Sequence, residues 1–169
     1  MIFVFWVVVA LAFAGFHLLR HKEPRTREST LEIVLMYWLM IALGLAAIVG
    51  GLYHLFDGKE IAEDIGFTRG NGGFQTEVGF GDIAIGVAAF LCRFIRDPLF
   101  WLAVLIVATI SLWGDAYGHI YQWIEYDNTD VDNNGPVLYY DIIAPLVGIV
   151  LYVLMMRARR VSPAPAPSG

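Results

Sequence analysis

Residues 31–55, LEIVLMYWLMIALGLAAIVGGLYHL, decide the fold, because between Glu32 and His54 they run for 21 residues without a charged side chain. A helix rising about 1.5 Å per residue crosses the roughly 30 Å hydrocarbon core in about 20 such residues, so this stretch reads as a membrane crossing. Four further apolar stretches, at residues 2–19, 77–95, 99–124 and 137–156, read the same way. The composition agrees, since 58% hydrophobic, 14% aromatic and only 16% charged residues is not the mix of an ordinary soluble domain. Five crossings use up most of the 169 residues and leave no room for a soluble catalytic domain. Nothing forms the basic stripe of a nucleic-acid binder. The lone Cys92 excludes an intramolecular disulfide and any CxxC motif.

The expected fold is therefore an all-α membrane protein. Residues 1–30 form an N-terminal transmembrane anchor and a basic cytoplasmic loop, residues 31–156 a four-helix transmembrane bundle, and residues 157–169 a basic and then Pro/Ala-rich disordered tail. The first stretch has a small-x-small pair, Ala12 and Ala14, before Gly15, as a signal peptide would. No cation precedes it and a basic cluster follows, which fits an uncleaved anchor better.

Basic residues set the expected orientation. Arg20, Lys22, Arg25 and Arg27 follow the first stretch, Arg93 and Arg96 lie between the third and fourth, and Arg157, Arg159 and Arg160 follow the fifth. Those nine share one side and only Lys59 and Arg69 fall on the other, so the positive-inside rule expects the N-terminus out and the C-terminus in, across a bacterial-type inner membrane.

Helix punctuation fits these spans. Ser29 or Thr30 is expected to cap the second helix with Glu32 behind it, Pro98 to open the fourth, and Asn134-Gly135-Pro136 to turn into the fifth. The loop 57–75, with Gly58, Gly66, Gly70, Gly72 and Gly73, is expected to be mobile or tightly folded rather than helical throughout, and it lacks the Lys and Ser/Thr of a phosphate loop. The third stretch is the weakest: it opens with Glu77 and Asp82 and needs protein neighbours. Its small residues Gly79, Gly86 and Ala89 point to close helix packing.

A charged side chain at mid-membrane costs roughly 2.5–3.5 kcal/mol on insertion scales, so ionisable residues inside these spans are functional candidates. They are His54, Glu77, Asp82, Asp115, His119 and Asp141, all toward the expected outer face. Glu77 and Asp141 fall in first turns of the expected helices, where the helix dipole favours an acid, and His54 at an interface, where a hydrated histidine is ordinary. Asp82 and Asp115 lie deeper, on consecutive helices expected to be antiparallel neighbours, and Asp115 and His119 share a face at i, i+4. Such a group suits a divalent metal ion held by His54, Glu77, Asp82, Asp115 and His119, a proton relay, or polar glue between helices.

Independently, Asp130-x-Asp132-x-Asn134-Gly135 matches the opening of a calcium loop, with Asp141 at its twelfth position. Two departures stand against it: Asp replaces the bidentate Glu, and no soluble helix precedes Asp130. Asp141 cannot serve both this loop and the intramembrane group.

The run Glu77-x-Gly79-Phe80-Gly81-Asp82, the Gly114-Asp115 and His119 of the fourth helix, and four helices over residues 31–156 resemble small bacterial membrane proteins akin to the DoxX-like four-helix group. The resemblance implies a four-helix fold and no particular reaction, and the helix before Arg20 departs from it. Three functions follow as expectations. The first is an outward-facing carboxylate/histidine pocket for a metal ion or small polar ligand. The second is an accessory subunit whose first helix docks a membrane partner. The third is a metal-dependent redox or hydrolytic enzyme.

Overall fold

The computed structural model describes residues 2–20, 25–66 and 72–161. All regular structure among these is helical, and five helices are long and apolar enough to cross a membrane. Lys22, Arg69 and the tail 162–169, on which parts of the sequence reading rest, lie outside the described residues.

Helix α1 (Ile2–Arg20) comes first. Helix α2 (Arg27–Tyr37), a π-helical stretch (Trp38–Leu45) and α3 (Ala46–Phe56) then join in one rod, Arg27–Phe56. There follow α4 (Gly58–Asp64), α5 (Gly72–Leu91), α6 (Pro98–Tyr126), α7 (Val131–Asn134) and α8 (Pro136–Val161).

Several ends differ from expectation for local reasons. Thr26, not Ser29 or Thr30, caps α2, because its hydroxyl reaches the Ser29 amide at 3.1 Å. Pro98 does open α6, with Asp97 ahead of it accepting from the amides of Leu99 and Phe100 at 2.8 and 3.0 Å. The glycine-rich loop contains α4, and α5 starts at Gly72, so Glu77 is not in a first turn. Asp141 likewise falls beyond the first turn of α8, which Pro136 opens. The dipole therefore explains neither acid.

The helices pair unevenly. The α3 half of the rod packs on α5 and α6 packs on α8, while α5 and α6, despite the short turn between them, touch little. The α3–α5 crossing is close because glycines face backbone on both sides. A Cβ at Gly51 would stand 2.5 Å from the Gly79 carbonyl oxygen, and one at Gly86 would stand 2.7 Å from that of Gly44. Only hydrogens fit between these chains, the small-residue packing expected of the third helix.

At the opposite end α2 packs on α8 and closes the bundle. Leu35, Leu39, Trp101 and Leu105 are at most 1% exposed there and form its apolar centre. The Trp101 indole donates to the carbonyls of Cys92 at 3.1 Å and Ile95 at 2.7 Å, giving partners to oxygens that the end of α5 leaves without helical donors. Ion pairs Glu32–Arg96 at 2.8 Å and Glu28–Arg159 at 3.5 Å tie α2 to both hairpins. Beside them Cys92 is fully buried. The bundle is thus shut at the α2 end, and its two helix pairs diverge toward α4 and α7.

Candidate functional site

The divergence leaves a cavity of about 500 Å³ between the α3–α5 and α6–α8 pairs. Two similar sets of side chains, each a histidine with a side-chain amide and an aspartate, stand at its facing walls.

On the first wall, α3 ends just after His54 and the chain bends at Asp57–Gly58. A Cβ at Gly58 would lie 2.8 Å from that of Gln75, so glycine lets this corner sit directly on α5. The approach places Gln75 Oε1 2.7 Å from His54 Nδ1. Asp82, two turns along α5, faces the other ring nitrogen, Oδ2 to Nε2, at 3.8 Å.

On the second wall, His119 Nδ1 lies 2.9 Å from Oδ1 of the fully buried Asn133. The Asn133 amide nitrogen donates to the carbonyls of Asn128 at 3.0 Å and His119 at 3.2 Å, which fixes the amide's orientation. Its oxygen must then accept, so His119 carries a proton on Nδ1 and turns Nε2 toward Asp141 Oδ2 at 3.9 Å. Gly135 makes the α7–α8 corner possible, since a Cβ there would collide with the Val131 carbonyl. Each wall therefore holds a histidine oriented by an amide and facing a carboxylate.

Asp115, one turn deeper than His119 on α6, lies on the cavity wall within electrostatic reach of both histidines. It makes no hydrogen bond or ion pair among the described residues. Tyr140, also on the wall, donates its hydroxyl to the Ala42 carbonyl in the π-helical stretch. Phe3 and Trp6 bring α1 to the same cavity, and Phe3 stacks on Tyr140 at 4.4 Å.

Of the residues singled out from sequence, His54, Asp82, Asp115, His119 and Asp141 meet here, whereas Glu77 is exposed and off the wall. His54 is half-buried and bonded to Gln75, not the hydrated histidine of an interface. The metal expectation finds no support. Among the described residues no three His, Cys, Asp or Glu side chains stand close enough to hold an ion. The calcium pattern fares no better, because its opening is helical. Asp130 precedes α7 and its carbonyl accepts from the amides of Asn133 and Asn134 at 2.9 and 3.2 Å, while Asn134 ends the helix. Asp132 reaches the cavity wall and Asp141 is buried opposite His119, so the four oxygen donors do not converge.

Gln75 and Asn133 escaped the sequence reading. An amide in a glycine- or asparagine-rich turn looks like turn chemistry, and nothing local shows that it reaches a histidine 21 or 14 residues earlier.

No curated protein and no solved structure matches the chain. A family model does match, across residues 1–161, so that α1 is included with the bundle. The chain belongs to that family, a family of unknown function (DUF6790).

Proposed function

We propose that this is a five-crossing inner-membrane protein, N-terminus out and C-terminus in, whose cavity opens outward and binds a small polar ligand. The carrying observation is Asp115, a carboxylate without a partner on the wall of a 500 Å³ cavity, flanked by two oriented histidine–aspartate pairs. Cavities of about 300–1,000 Å³ with apolar walls and a few convergent polar groups are the usual form of small-molecule sites. The orientation is supported by the described basic residues: Arg20, Arg27, Arg96 and Arg159 lie at the closed end, and Lys59 beside the cavity end. The DoxX-like resemblance adds only an analogy of helix arrangement.

The accessory-subunit reading has one observation of its own. The His119–Asn133 bond ties α6 to α7 whether or not anything binds. Asp115 separates the two readings. A structural lock loses stability when a member is removed, whereas an exposed carboxylate that makes no hydrogen bond can be replaced without loss. Asp115→Leu in purified protein is therefore expected to melt at or above the wild-type temperature. A clear fall in Tm would make Asp115 part of the helix packing and favour the accessory role.

A further inference from the structure

The chemistry of the cavity wall narrows the ligand class. Among the described residues that line it are five aspartates, Asp64, Asp82, Asp115, Asp132 and Asp141, and no lysine or arginine. One donor on the wall stands open, the buried indole N–H of Trp6, which has no partner among the described residues, while two others are engaged. Tyr140 spends its hydroxyl proton on Ala42 and His119 its Nδ1 proton on Asn133, so both point acceptor atoms or nothing at the space between. The remaining wall is mostly apolar or aromatic, with Phe3, Tyr53 and Phe74 among its rings. Acceptors spread over three helices with aromatic rings between them suit an ammonium group, whose N–H bonds radiate and whose charge is drawn to ring faces. A bare divalent ion instead needs its oxygens gathered at about 2.0–2.6 Å around one point, which the separated aspartates do not provide. An anionic ligand would be set against carboxylates on every side.

Taking the pocket reading above as its basis, we propose that the cavity selects a small organic cation, an amine whose ammonium group docks on Asp115 within the acidic wall. The test uses three probes of one shape and different charge, benzylamine, benzyl alcohol and benzoate, added at equal concentration to the full chain in detergent. A ligand that binds only the folded state raises Tm, so benzylamine should raise it by several degrees, the other two should not, and Asp115→Asn should remove the rise. An equal or larger rise with benzyl alcohol or benzoate, lost in Asp115→Asn, would overturn the choice of a cation and leave the pocket standing. A benzylamine rise that survives Asp115→Asn would place binding elsewhere and overturn the proposal. No rise with any probe would overturn it too, and the pocket would then be judged on its own by the accessibility of a Gly114→Cys variant from outside.

Discussion

Gly86→Leu is expected to prevent the bundle from forming, so that the variant is recovered as aggregate or in a melted state while wild-type protein is monodisperse. A Cβ at Gly86 would stand 2.7 Å from the Gly44 carbonyl oxygen and 2.8 Å from the Ile48 amide nitrogen, and neither is a side chain that can swing aside. Overpacking typically costs about 1–3 kcal/mol where side chains can shift, and more is expected where two backbones must separate. Gly86→Ala should already lower Tm clearly. Gly148→Ala is a milder case, since its Cβ would meet chiefly the tip of Leu105, and Gly15→Ala, with nothing within 4 Å, should be neutral. The order Gly86 worst, Gly148 intermediate and Gly15 harmless is the measurable pattern. Equal tolerance at all three would mean that the α3–α5 crossing is not so close.

Asn133→Leu should be the most damaging change among the polar residues around the cavity. The side chain is fully buried, and a leucine of similar size would strand the His119 Nδ1 proton and the Asn128 carbonyl. Each buried polar group left unmet costs about 1–3 kcal/mol, and 1 kcal/mol moves Tm by roughly 2–4 °C in a chain of 150–250 residues, so a fall on the order of 10 °C is expected. The contrast with Asp115→Leu, expected to be neutral or stabilising, separates the residue that holds the site from the residue that the site presents. A wild-type Tm for Asn133→Leu would show that the amide does not fix the histidine.

The helices were legible in the sequence because membrane burial writes itself into uninterrupted length, as in residues 33–53, and the small residues facing one side of α5 announced its close partner. The candidate group was legible for the same reason, since any ionisable residue in an apolar span stands out. What the sequence did not reveal is long-range. Short connection suggested that α5 and α6 would be close neighbours, yet each packs mainly on another helix and the cavity lies between the pairs. The calcium-like spacing of Asp130, Asp132, Asn134 and Asp141 is real in sequence, but Gly135 turns the chain so that Asp141 enters the bundle. Asn133, between those acids, reads as one more turn residue until its carbonyl and histidine partners are seen.

The central claim, a cavity open to the outside between two helix pairs, is tested most directly by thiol labelling of intact cells with a membrane-impermeant reagent. Gly114 lines the cavity and has open space where a side chain would grow, so Gly114→Cys probes its interior without disturbing it. The wild-type chain is the internal blank, because its one thiol, Cys92, is buried. Labelling is expected at Gly114→Cys and at the exposed loop variant Thr129→Cys, and not at Thr26→Cys until the membrane is permeabilised. Labelling at Thr26→Cys in intact cells with none at Thr129→Cys would invert the orientation, and a Gly114→Cys that stays unlabelled from either side would contradict the open cavity itself.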